Sequence, residues 1–163
     1  MTSTPAAILP SVLDRLLDEM PLADKTAKPS RGALVSAIRQ TLQRDLEWLL
    51  NTRRRPSGAP GKDLPELKTA LPAYGIPDFT TRDLATETQR KAFALALEQA
   101  IRHFEPRLTS VSVSVADRGG LERRLRFRIE ALIRVEPAPE PVIFVSQLDP
   151  ATHNFTIRPA DHE

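Results

Sequence analysis

Residues 89–115 read QRKAFALALEQAIRHFEPRLTSVSVSV, and the fold can be worked outward from this stretch. Phe93, Leu97, Ala100, Ile101 and Phe104 recur at three- and four-residue spacings, which places them on one face of a helix. After Pro106 the period falls to two. Val111, Val113 and Val115 then share one face of a strand, and Ser112 and Ser114 the other. Pro106 lacks an amide donor and steers Glu105 away from the α region, so the helix is expected to end near Phe104. Upstream, Thr86 and Gln89 have the spacing of a capping box, which sets the helix start.

Downstream the chain reads as more sheet. Ala116-Asp117-Arg118-Gly119-Gly120 has the composition of a hairpin connection. In the return strand Leu125, Phe127, Ile129, Ala131 and Ile133 face inward, while Arg124, Arg126, Arg128, Glu130 and Arg134 face outward, interrupted by Leu132. Val142 to Val145 is apolar on both faces and is expected to be central or covered on both sides. Phe155 and Ile157 alternate in a last short strand.

Upstream the chain is mostly helical. Leu34, Ile38, Leu42, Leu46 and Leu49 form the apolar stripe of a helix over 34–50, with Arg39, Gln43, Arg44 and Glu47 on its solvated side. Trp48 lies at the edge of the stripe, fit either for boundary packing or for a partner contact. Arg53, Arg54 and Arg55 are expected in the last turn, where cations suit the helix dipole. In Tyr74-Gly75-Ile76-Pro77-Asp78-Phe79, Gly75 permits a positive φ and Pro77 sets the exit, so Tyr74, Ile76 and Phe79 are expected to pin the loop to the core. Nearer the N-terminus, Leu13, Leu16, Leu17 and Met20 form a short amphipathic stripe, which must dock on its own domain or on a partner. Residues 21–32 read as a linker.

The expected fold is therefore α+β: a small mixed, largely antiparallel sheet of about four strands packed by helices, with an N-terminal helical extension. Residues 1–32 make the N-terminal segment, 33–158 the domain and 159–163 a tail. The 163 residues include 23 basic and 21 acidic ones, and this small excess does not imply nucleic acid. Cysteine is absent, so no disulfide, thiol nucleophile or cysteine metal site exists. No basic region precedes a long apolar run, and no run is long enough to span a bilayer, so neither a secretory leader nor membrane insertion is expected.

Catalytic signals are thin. His103, His153 and His162 lack metal-ligand spacing, and there is neither an HExxH nor a GxSxG motif. Gly58 and Gly61 do not form a phosphate cradle. No catalytic, cofactor-binding or metal residue is assigned. Peptidoglycan cleavage and nucleic-acid binding remain alternative classes. A lytic enzyme would need a second carboxylate facing Glu105 across an open groove. A nucleic-acid module would need Arg124, Arg126 and Arg128 on a continuous positive face free of carboxylates. Glu105 and Arg107 themselves are either an exposed pair, worth about 0.2–1 kcal/mol, or a buried lock whose breakage costs about 3–5 kcal/mol.

DLEWLLNTRRR at 45–55, YGIPDF at 74–79 and FEPRL at 104–108 occur in that order, with LDRLL at 13–17 and LDPATHNF at 148–155. This combination resembles the TssE family, baseplate subunits of bacterial type VI secretion systems. The wider family includes a contractile-phage baseplate wedge protein often labelled lysozyme-like. The resemblance implies a structural, non-enzymatic cytoplasmic subunit without cofactors, in a baseplate docked at the inner-membrane complex. It implies contacts with wedge subunits (TssF, TssG and TssK) and with the contractile sheath, whose extended strands the sheet accepts, and it implies no nucleic-acid partner. The family's signature falls on Glu105, Pro106 and Arg107. The N-terminal helix, with Leu13, Leu16, Leu17 and Met20, is implied as the wedge anchor. Arg124, Arg126 and Arg128 are candidates to face the sheath, and Trp48, Arg53, Arg54, Tyr74 and Phe79 are candidates for interface or boundary positions.

Overall fold

A computed structural model describes residues 30–54, 70–79, 84–116, 125–149 and 151–160. The expected N-terminal helix, Arg55, the hairpin turn at 117–120, Arg124 and His162 lie outside the described residues.

Helix α1 spans Arg31–Asn51, starting three residues before the apolar stripe. Ser30 caps it, its hydroxyl accepting from the Ala33 N–H at 3.3 Å. Val35, Leu42, Leu46, Leu49 and Leu50 are buried. The expected last-turn arginines lie instead beyond the helix. Thr52 turns extended, with φ −88° and ψ 124°. Main-chain bonds then tie this segment to the loop: Arg54 N–H to the Ile76 carbonyl at 2.8 Å, and Ile76 N–H to the Thr52 carbonyl at 2.9 Å. Arg53 still satisfies a helix-end carbonyl, that of Leu50, by folding back at 2.9 Å. After a short 3-10 turn at Leu71–Ala73, Gly75 takes φ +104° against Thr52.

Helix α2 spans Glu87–Phe104, opened by the Thr86–Gln89 capping box and closed before Pro106. Strand β1 (Leu108–Ala116) follows at once, then β2 (Leu125–Ile133), β3 (Glu140–Leu148) and β4 (Phe155–Pro159). They form a meander in the order β1-β2-β3-β4, and every pairing is antiparallel rather than mixed. The register of β1 against β2 slips between Thr109 and Ser112, where Ser110 has φ 52°. This bulge has a purpose legible in burial. Leu108 and Val111 are both buried although three apart, so one extra residue is needed to return the alternation to the core.

Both helices cover one sheet face, α2 over β1 and α1 over β4. Phe93 of α2, Phe127 of β2, Phe155 of β4 and Phe79 of the loop meet between them, with Phe79–Phe93 centroids 5.0 Å apart and Phe93–Phe127 5.6 Å apart. β3 is central as expected, with Val142, Phe144, Ser146 and Leu148 buried and Ile143 and Val145 half-buried on the other face. Gln43 and Glu47 were expected to be solvated on α1, yet both are half-buried. With Asn51 they hydrogen-bond the main chain of β4, because α1 lies along that edge. Among the described residues no helix is long and apolar enough to cross a membrane.

Candidate functional site

The corner between α2 and β1 is held by three ionic side chains. Helix α2 ends with the Glu105 N–H on the Ile101 carbonyl at 2.9 Å, and Leu108 N–H returns to the Glu105 carbonyl at 3.1 Å. This compact turn points the Glu105 carboxylate inward, where the residue is 5 % exposed. Arg107 meets it side-on: Nε donates to Oε1 at 2.7 Å, Nη2 donates to Oε2, and the Arg107 main-chain N–H adds a bond to Oε1 at 3.2 Å. The same Nη2 donates to Oδ2 of Asp45, which comes from α1. One guanidinium thus joins both helices to the start of the sheet. The Arg107 carbonyl accepts from Arg134 N–H at 2.9 Å, which extends the tie to the end of β2.

The electrostatics follow from this geometry. Hydrogen bonding to Glu105 raises the Arg107 pKa above its ordinary value, and Asp45 adds to the effect, while partial burial opposes it. Tyr74 packs edge-on against Phe104 at 5.2 Å. Burial raises the pKa of its phenol, and the negative charges of Asp45 and Glu105 raise it further.

A second cluster surrounds Arg53. Its guanidinium stacks over the Phe79 ring at 4.0 Å and donates to the Leu50 and His153 carbonyls, at 2.9 and 2.6 Å. Burial lowers its pKa, partly offset by Asp78. Arg53 therefore binds the end of α1, the 74–79 loop and the β3–β4 turn to one another. Phe79 is 2 % exposed and belongs to the core, whereas Trp48 is 52 % exposed, with the Arg44 guanidinium 5.2 Å from its ring centre. Arg54 is exposed.

On the outer sheet face Arg126 and Arg128 project beside each other in β2, but Arg128 Nε is bonded to Glu130 Oε1 at 2.6 Å. The positive stripe is interrupted by a carboxylate, which weighs against a nucleic-acid face. The second carboxylate near Glu105 is Asp45, and it stands across Arg107 rather than across a cleft. Among the described residues no group of three His, Cys, Asp or Glu is placed to hold a metal.

Sequence reading brought out Glu105 and Arg107 but missed Asp45, the member that connects them to α1. A signal was present: Asp45 lies three residues after Leu42 and beside Leu46, at the rim of a buried stripe where an acid calls for a partner.

The family model described as baseplate wedge protein gp25 matches residues 36–138, more than half of the chain. The chain belongs to this family of baseplate wedge proteins. The matched span holds DLEWLLNTRRR, YGIPDF and FEPRL, in agreement with the TssE resemblance, while β3 and β4 lie beyond it. No curated protein and no solved structure matches the chain. Membership makes it a structural baseplate protein, not a lysozyme.

Proposed function

We propose that this protein is the type VI secretion baseplate subunit that connects the wedge complex to the contractile sheath and helps to start sheath polymerisation. The observation that carries this reading is the Asp45–Arg107–Glu105 lock at the foot of an edge strand. A sheath that polymerises by strand addition needs a first edge held at a set position and angle. In a lock tying both helices to β1, the edge cannot rotate without breaking charged hydrogen bonds. Arg124, Arg126 and Arg128 then orient the sheath subunit on the outer face through complementary charge.

On this reading residues 33–158 form the sheath-facing domain and 159–163 a tail. Residues 1–32 carry the wedge anchor, with Leu13, Leu16, Leu17 and Met20 docking on the TssF, TssG and TssK wedge subunits. The exposed Trp48 of α1 is a further contact for the wedge. The assembly sits in the cytoplasm, docked at the inner-membrane complex.

A tagged pull-down from cells expressing the full system tests both contacts. The intact protein is expected to recover wedge and sheath subunits. Replacing Leu13 and Leu16 by Asp is expected to lose the wedge group, and the Glu105→Ala, Arg107→Ala double variant to impair sheath recovery and assembly. Recovery of neither group by the intact protein would sink the connector reading, and normal sheath assembly in the double variant would sink the role of the lock.

A further inference from the structure

Among the described residues the sheet has one covered face and one bare one. Both helices lie on the side of Val111, Phe127, Ile129, Phe144 and Ile157. On the opposite side the register sets residues in cross-strand rows. Arg128 and Arg158 flank Val145, Glu130 lies beside Ile143, and Leu132 beside Pro141. Pro141, Ile143 and Val145 therefore form an apolar strip along β3, about 13 Å long, with Leu132 next to it. Their neighbours toward the core, Val142 and Phe144, are buried, whereas Ile143 and Val145 are only half-buried. The charged side chains of this face are Arg126, Arg128 and Arg158 with one carboxylate, Glu130. Three cations against one anion leave the rim of the strip positive.

The chain's own sequence contains the complement of this face. Residues 12–20 read VLDRLLDEM. At helical spacing Leu13, Leu16, Leu17 and Met20 share one side. Asp14, Asp18 and Glu19 accompany a single base, Arg15, which is the reverse of the charge on the sheet. As a helix the segment would be about 14 Å long, the length of the strip. A helix this short is not stable alone in water, so its apolar side needs a surface. The connection is also long enough. Arg31, in the first turn of α1, donates to the Ala138 carbonyl at 3.2 Å and to Glu140 Oε2 at 3.4 Å, and Arg39 donates to the Pro141 carbonyl at 3.2 Å. The chain thus enters α1 beside the Pro141 end of the strip. Residues 21–29 can span about 30 Å, enough to pass round the end of β3 from one side of the sheet to the other. A tether this short holds the segment at an effective concentration on the order of millimolar, so even a weak contact is populated.

We propose that in the free protein residues 12–20 dock on the bare face of their own sheet and cover it until the wedge takes them away. Leu13, Leu16, Leu17 and Met20 lie against Leu132, Ile143 and Val145, and the flanking carboxylates lie beside Arg126, Arg128 and Arg158. The consequence rests on the connector reading above, in which the same stripe anchors the wedge and the same arginines orient the sheath. One segment then has two exclusive sites. In the free protein it masks the sheath-facing arginines, and capture by the wedge uncovers them. The sheath is thereby recruited only to a subunit already in place on a baseplate.

The chain has no cysteine, so the full-length protein can carry a nitroxide at a single new site, Ser11→Cys. Its broadening of methyl signals is expected to be stronger at Leu132, Ile143 and Val145 than at Ala94 on the helix side. Replacing Leu16 and Leu17 together by Asp is expected to abolish the difference, and Arg158→Glu to reduce it. The dispersed methyl spectrum shows in the same experiment that each variant is folded. Equal broadening on both sides of the sheet would overturn the docking and leave the connector reading standing. Broadening of a nitroxide-free chain mixed with a labelled one would overturn it too, since the occupant would then be a second copy. Without wedge subunits, purified sheath subunits are expected to bind the Leu16→Asp, Leu17→Asp variant roughly tenfold more tightly than the wild type. Equal affinity would overturn the masking. Binding of sheath subunits by neither protein, with or without wedge subunits, would overturn the connector reading and the masking together, while the methyl pattern decides the docking by itself.

Discussion

Arg107 is the residue on which the corner depends, because its one guanidinium bridges two carboxylates from different elements. Arg107→Ala leaves Glu105 buried without a counter-charge, and the expected loss is about 3–5 kcal/mol of folding stability. Asp45 is more exposed than Glu105, so Asp45→Asn is expected to cost less, about 1–2 kcal/mol. Urea denaturation of the single and double variants checks both. The losses should be non-additive, since the side chains share one network. Stability of Arg107→Ala within about 0.5 kcal/mol of wild type would show the lock to be dispensable for folding.

Tyr74 reports on the same network and is the only tyrosine in the chain, so its absorbance change on ionisation is not mixed with another phenol's. Its folded pKa is raised above the ordinary value of 10.0, chiefly by burial and then by Asp45 and Glu105. The neutral phenol is therefore favoured in the folded state. Its contribution is fully present below pH 10 and is lost as pH rises through the folded value. A spectrophotometric titration is expected to show a midpoint above 10.0 in the folded protein, returning to that value in denaturant. Asp45→Asn should lower the folded midpoint. An unchanged midpoint in that variant would mean that the carboxylate does not act on the phenol.

At the scale of elements, the molecule is joined through places where one segment borrows hydrogen bonds from another. The 74–79 loop is attached to the chain just after α1 by a short parallel bridge between Arg53 and Ile76. That bridge requires close approach at Gly75. A Cβ there would lie 2.4 Å from the Thr52 carbonyl oxygen, with the backbone already at φ +104°. Gly75→Ala is expected to destabilise by about 1–3 kcal/mol or more and to loosen the loop. Thermal denaturation together with amide exchange at Ile76 and Arg54 reads both effects. Retained protection at both amides would show that the bridge does not depend on the missing side chain.

For the whole molecule, the two helices touch each other less than they touch the sheet, α1 packing on β4 and α2 on β1. They are coupled instead through the aromatic core, the Asp45–Arg107 contact and the Arg53 cluster. Such a domain is expected to unfold as one unit. Fluorescence of the single tryptophan, Trp48 on α1, should follow the same denaturation curve as far-UV circular dichroism. Separate transitions would indicate that α1 detaches first, with loss of its hydrogen bonds to the β4 main chain before the sheet melts.

The chain determined by itself what depends on neighbours in sequence. The three- and four-residue apolar spacing of α2, the capping box at Thr86, the stop at Pro106 and the period of two in β1 and β2 are local, so they could be read as helix, cap, corner and strand. The α+β class and the flanking pair Glu105 and Arg107 came with them. What required the tertiary structure was every relation across long separations. Asp45 reaches Arg107 across 62 positions, and Asn51 reaches Phe155 across 104. Gln43 and Glu47 read as solvated because polar side chains on a helix usually meet water. Only the placement of α1 along β4 gives them an unpaired main chain to satisfy instead. The same holds for the bulge at Ser110. Local periodicity sets which face a side chain takes, whereas the partners of a sheet edge depend on which helix lies beside it, and that is decided by packing of the complete core.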